Sequence, residues 1–247
     1  MLYRDRLVRR LSLPADVTVI SGIVASGRKT LIRQWADGSD ADDLRVVVTR
    51  GGGRARDEFA WALTALAEKL EHTSTAVHGQ LPLDGLRSFD PARRLEAFGA
   101  VASSIDMMIS FAFLDLDETD PIDFLAGYED LRRVAPRVRV LGAITDERAM
   151  VAAARVAGLS VENIDDTERI FSPSEVDDYA RQVLGSHDDR ALAHLISGTG
   201  GHPALVDLAV SELGEECRRG LLSRSAVLAA WRAPFIDACA DVPAYRL

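Results

Sequence analysis

Four apolar runs, Val17–Ile20, Val46–Val48, Met107–Leu114 and Val138–Ile144, are continuous rather than alternating. A strand with one wet face alternates apolar and polar residues, whereas a continuous run belongs to a strand covered on both faces. Helix-period patterns separate the runs. Phe59, Leu63, Leu66 and Leu70 form one. Leu95, Phe98, Val101 and Ile105 form another, after an Asp90-Pro91 start, and Leu125, Tyr128 and Leu131 a third, before Pro136. Strands alternating with helices predict an α/β domain with a doubly wound parallel sheet. A fifth strand is expected at Val161–Ile164 or at Arg169–Phe171.

From Ser172 the pattern becomes wholly helical. Ser172-Pro173-Ser174-Glu175 reads as a capping box with proline at the first helical position. Val176, Tyr179 and Val183 supply its apolar stripe, and Gly185 a stop. Further helical patterns cover Leu192–Ile196, Ala204–Leu213 and Ala226–Trp231, while Gly51-Gly52-Gly53 reads as a short loop. The expected division is an α/β domain over residues 1–171 and a helical subdomain over residues 172–247.

A net charge of −9 argues against direct binding of nucleic acid or an anionic membrane by this chain. Two cysteines, Cys217 and Cys239, form neither a disulfide framework nor a metal-ligand spacing, so a cytoplasmic setting is expected. No apolar run approaches the ~20 residues that span a bilayer. The arginine-rich N-terminus lacks the apolar stretch of a signal peptide. All but two of the 29 basic residues are arginine, and one of the two lysines is Lys29.

That lysine lies in the turn after the first run, Ser21-Gly22-Ile23-Val24-Ala25-Ser26-Gly27-Arg28-Lys29-Thr30-Leu31. A strand, a turn bounded by two glycines and a helix start form the setting of a phosphate-binding P-loop. The Gly22-to-Gly27 spacing fits, but Arg28 stands in the usual lysine position and Lys29 in the usual hydroxyl position. Arg28 can supply charge and paired hydrogen bonds to phosphate, while Lys29 cannot ligate Mg²⁺. Its ammonium can replace the ion electrostatically or point away. Thr30 supplies the hydroxyl only if the loop carries one extra residue.

Asp115, Asp117 and Glu118 follow the third run. An acid at the end of a buried strand is where a P-loop protein organises its Mg²⁺. Asp115 is the expected metal-organising carboxylate, with Asp117 or Glu118 orienting an attacking water. Thr145, after the fourth run, is placed to sense a terminal phosphate. Gly198-Thr199-Gly200-Gly201-His202-Pro203 sets a sharp turn and a helix start.

With these marks in order, the chain resembles the nucleotide-binding region of STAND-type regulatory NTPases, in the maltose-activator-like branch of the large LuxR-family transcription regulators. Leu7-Val8-Arg9-Arg10-Leu11 is similar to that branch's lead-in segment, and Ser21 to Leu31 lies ungapped over its phosphate loop. Arg45–Thr49, the glycine run and Asp57 to Leu66 resemble its second strand and the helix after it. Asp115 takes the place of its first Walker B acid, but Leu116 stands where a second acid is usual, and Ile144 where an arginine is common. Phe171 to Glu175 resembles the start of its helical lid, and Gly201-His202-Pro203 its Gly-x-Pro motif, where the lid meets bound nucleotide.

The resemblance implies a P-loop NTPase-like sheet followed by a small helical lid. It further implies a switch that is closed with ADP and opens with ATP and an inducer. Gly22, Ser26, Gly27, Arg28, Lys29, Thr30, Leu31, His202 and Pro203 would hold the nucleotide. A full regulator of this type continues into further domains, so a chain stopping at Leu247 reads as a fragment or as a stand-alone relative. Three functions are therefore expected. One is a nucleotide-binding module with weak or absent hydrolysis and partners in other proteins or domains. Another is a slow Mg²⁺-dependent ATPase. The third is a protein scaffold with an empty loop, for which Arg28 or Lys29 would be held in internal ion pairs.

Overall fold

The computed structural model describes residues 4–22, 26–38, 42–49, 55–72, 81–105, 107–184 and 196–219. The glycine run at Gly51, the stop at Gly185 and the helical pattern at Ala226–Trp231 lie outside them. The chain folds as two compact units. Residues 6–22 and 28–164 form the larger; residues before Arg6, Ser26–Gly27 and those from Asp165 onward form the smaller.

The larger unit is an α/β fold built on five parallel strands, β1 (Val17–Ser21), β2 (Asp43–Val48), β3 (Met108–Phe113), β4 (Val138–Ile144) and β5 (Val161–Ile164). Their order across the sheet is β2-β3-β4-β1-β5. All four neighbouring pairs are parallel, with Val17 opposite Val140 on one side and Val161 on the other. The fifth strand is the first of the two expected segments. Arg169 lies instead in a short helix, α8 (Asp166–Arg169), begun by a complete capping box from Asp165 and Glu168.

Helices α1 (Asp5–Leu11) and α2 (Arg28–Asp37) cover one face of the sheet, where Leu7, Leu11, Leu31, Ile32 and Trp35 pack on Ile20, Ala112 and Leu141. The other face carries α3 (Ala55–His72), α4 (Leu83–Leu86), α5 (Pro91–Ser104), α6 (Pro121–Val134) and α7 (Arg148–Val156). The chain leaves β1 towards the β2 edge and returns in the opposite direction. Right-handed crossovers then require α2 and the later helices to take opposite faces. The strand order thus reverses beside β1, and ligands of open α/β sheets bind outside the strand ends at such a point.

Helix starts follow the expected chemistry. Asp90 accepts from the Ala92 N–H at 3.0 Å, and Asp120 accepts from Ile122 and Asp123 at 2.9 and 3.0 Å, each with proline next in the chain. The smaller unit is helical after α8. It contains α9 (Pro173–Leu184), a helical stretch over residues 196–199 and α10 (Pro203–Arg219), around Val176, Ala180, Val206, Ala209 and Val210. Both halves of the Ser172 capping box form, at 3.2 and 2.8 Å. No helix among the described residues is long and apolar enough to cross a membrane.

Beneath the sheet's N-terminal end lies a charged network that the apolar patterns conceal. Asp43 accepts from Arg139 at 2.7 Å, from Arg45 at 3.1 Å and from Ser110. The arginines reach on to the ends of the two helices on that face. Arg139 donates to the Leu11 and Leu13 carbonyls at 3.1 and 2.9 Å, and Arg45 to those of Trp35 and Gly38 at 2.6 and 3.0 Å. The last carbonyls of a helix have no partner within it, so these bonds satisfy α1 and α2 from outside. Asp43 and Arg139 are almost fully enclosed, at 6% and 4% side-chain exposure. Asp43→Ala is expected to cost about 3–5 kcal/mol, because it strips a carboxylate from buried arginines. Asp130→Ala, at the exposed pair with Arg133, should cost under ~0.5 kcal/mol. Urea unfolding midpoints measure the contrast.

Candidate functional site

At the opposite end of the sheet, the ends of β1, β3 and β4 bring together Gly22, Arg28, Lys29, Asp115, Asp117 and Thr145. Gly22 closes the pairing of β1 with β4 through its N–H to the Ile144 carbonyl at 3.1 Å, and turns with φ 133°, a conformation open to glycine. Arg28 is the first residue of α2. The structure buries it where an exposed cation would be ordinary: its side chain is 7% exposed and its Nη2 lies 3.6 Å from Asp117 Oδ2. Its Nη1 is buried with no hydrogen-bond partner among the described residues. Lys29, half exposed, donates to Asp115 Oδ2 at 3.0 Å.

Leu116 explains the placement of the acids. It is buried between them, its N–H bonded to the Ala143 carbonyl at 2.9 Å. Its side chain lies over Gly142, where an added Cβ would sit 2.4 Å from Leu116 Cδ1. The residues on either side are thereby turned outward. Asp115 points to Lys29, and Asp117 accepts from both the backbone N–H and, at 2.9 Å, the hydroxyl of Thr145. Glu118 is exposed and stands outside this hydrogen-bonded cluster. Thr30 is half-buried on α2, and Leu31 is a core residue, 2% exposed, so its side chain packs under the sheet.

Partial burial alone would raise the Asp115 carboxyl. The Lys29 hydrogen bond, the Asp117 N–H and the charges of Lys29 and Arg28 outweigh it, and the carboxyl titrates below its ordinary value. Mg²⁺ requires oxygen ligands in near-octahedral array. Here the position offered is one carboxylate oxygen already hydrogen-bonded to an ammonium, with no hydroxyl at residue 29. The hydroxyl that would ligate such an ion in a P-loop is absent at residue 29, and the Lys29 ammonium competes for the carboxylate that the ion would need.

The remaining predicted residues lie in the smaller unit. Ser26 is held there by Arg169, which donates to its carbonyl at 3.1 Å and its hydroxyl at 2.5 Å and also pairs with Asp166. Arg169 is 1% exposed and was not anticipated. The local signal was the Asp165-to-Glu168 capping pattern, which fixes a helical turn and aims the next residue. Gly27 turns with φ 84°, and an added Cβ there would sit 3.7 Å from the Pro203 Cβ. Burial lowers the His202 pKa, with Asp166 opposing the shift. Gly201, at φ 75°, accepts from the Phe171 N–H through its carbonyl oxygen at 2.8 Å, and leaves no room for a side chain, since a Cβ would meet the Phe171 carbonyl at 2.5 Å.

No protein-family profile matches the chain. No curated protein matches it either. Among solved structures it is similar to the Aeropyrum pernix ORC1 protein in complex with DNA, at 14% identity and a TM-score of 0.49, over 98% of this chain and 68% of that one. It is also similar to a chain of Drosophila ORC bound to AT-rich DNA and Cdc6, at 13% identity and a TM-score of 0.35, over 94% of this chain and 77% of that one. Likeness at this level says nothing of chemistry, which the side chains have to supply.

Two variants test the geometry. Lys29→Met is expected to move Asp115 upward in a carboxyl-carbon NMR titration. The stability lost is under ~1 kcal/mol, because both groups are half exposed. Since the folded carboxyl titrates low, that contribution is complete above the unfolded carboxylate's pKa and disappears as pH falls through the folded one. Gly201→Ala is expected to destabilise the chain by at least ~1–2 kcal/mol, through the left-handed backbone alone, in thermal or urea unfolding.

Proposed function

We propose that the Gly22–Thr30 segment binds the phosphates of ADP or ATP, and that the chain is a regulatory nucleotide-binding module with weak or absent hydrolysis. The buried, unpartnered Nη1 of Arg28 carries this reading. A guanidinium nitrogen withdrawn from water without an acceptor is costly, and a phosphate oxygen supplies the missing acceptor. Its place at the start of a ten-residue helix, after a glycine turn, adds the helix dipole and free N–H groups. A net charge of −9 supports a small anion held by local cations rather than a long polyanion.

Two features of the side chains support slow or absent turnover. The loop has no hydroxyl next to Arg28, and Asp117, one of the two candidates for orienting water, is bonded twice to Thr145. The finer assignment, to a STAND-type regulator whose partners are further domains or proteins, is supported by the order and spacing of the loop, the acids, the Ser172 capping box and the Gly201-His202-Pro203 turn.

A second reading has its own support. The Lys29–Asp115 and Arg28–Asp117 pairs are the internal ion pairs expected of a scaffold with an empty loop. Thermal unfolding with ADP, ATP and a nonhydrolysable ATP separates the two. A nucleotide at about 100 times its Kd adds roughly 2.7 kcal/mol, and Arg28→Met should remove that gain. No shift at millimolar nucleotide would leave only the scaffold. Turnover abolished by Asp115→Ala would instead establish an ATPase.

A further inference from the structure

We propose that Lys29 is a built-in replacement for the divalent cation, so that the loop binds nucleoside diphosphate without metal. The inference rests on the nucleotide-binding reading and goes beyond it. Lys29 follows Arg28, in the position where a P-loop has the hydroxyl that ligates Mg²⁺. Its Nζ lies 3.0 Å from Asp115 Oδ2, the carboxylate that such a protein turns towards its metal. The ammonium therefore already pairs with the carboxylate that the ion would need.

The chemistry of the group suits the substitution. An ammonium has three N–H donors in tetrahedral array. The Asp115 bond uses one, leaving two to point at phosphate oxygens. Its pairing with Asp115 fixes the direction of a long side chain before any ligand arrives, which lowers the ordering cost of binding. Arg28, buried, supplies the second charge, with Nη1 ready to donate to a phosphate oxygen. Two side-chain cations one residue apart thus do the electrostatic work otherwise divided between one lysine and one Mg²⁺. A metal-loaded nucleotide has no advantage at such a site, because its ion would meet the Lys29 charge head on.

The experiment is calorimetric titration of the whole chain with ADP, once in excess EDTA and once in millimolar Mg²⁺. The expected result is a Kd in EDTA equal to or lower than that in Mg²⁺. Lys29→Thr restores a hydroxyl at this position; it is expected to bind ADP at least tenfold more weakly in EDTA and to regain affinity with Mg²⁺. Lys29→Arg, which keeps a cation, should remain independent of metal. A wild-type Kd that rises tenfold or more when Mg²⁺ is removed would overturn the inference while leaving nucleotide binding intact. Lys29→Thr binding as tightly as wild type in EDTA would do the same. No heat and no thermal shift in either buffer would overturn the nucleotide-binding reading itself, and this inference with it.

Discussion

The carboxylate of Asp43 is shared by two arginines that between them reach three strands and the ends of two helices. Arg45 stands on β2 beside it, Arg139 on β4, and Ser110 on β3 closes the ring. In the observed register Arg45 lies opposite Ser110, and Ser110 opposite Arg139. Sliding any of these strands by one residue would send the polar side chains to the other face and leave charges in an apolar layer. The same arginines hold the C-terminal turns of α1 and α2 by their carbonyls. A helix is a stiff rod, and α2 is ten residues long, so fixing its far end fixes where its first residue, Arg28, stands.

That first residue meets an electrostatic arrangement of unusual balance. Two adjacent cations face two carboxylates separated by one buried leucine, and each acid is attached to something besides its cation. Asp115 accepts from the Asp117 N–H, and Asp117 from Thr145. The acids are thus held to the ends of β3 and β4 and the cations to the start of α2. An anion entering between them competes with carboxylates whose positions are already set, and affinity depends on donors that the carboxylates leave over, the Arg28 Nη1 foremost.

Much of the fold was legible because burial on both faces leaves a plain mark: apolar runs located β4 to the residue and β1 to within one. Asp90, Asp120 and Ser172 marked helix starts for an equally local reason, the need to satisfy N–H groups at a helix end. What sequence alone hid was charge inside the apolar layers. Arg139 falls within the run Val138–Ile144 and Arg45 just before Val46–Val48, and neither disturbs the hydrophobic pattern enough to reveal a partner far along the chain. The site divided in the same way. The glycine turn and the strand-end acids could be read from spacing, since their chemistry is local. The pairing of Lys29 with Asp115 could not, nor could Arg169 on Ser26, because both depend on how distant segments are brought side by side.

The position of β1 has a consequence for how the chain is made. Val17 pairs with Val140 and with Val161, so the strand that leads into the loop has both of its neighbours encoded far downstream. On a ribosome adding about 5–20 residues per second, β1 and α2 emerge before most of the larger unit and wait for it to follow. Strands β2 and β3 can join first, while β1 finds its place only when β4 and β5 are available to flank it. The start of α2 is thus synthesised well before Asp115, Asp117 and Thr145, and the charged cluster that Arg28 and Lys29 form with them is complete only once β3 and β4 are in place.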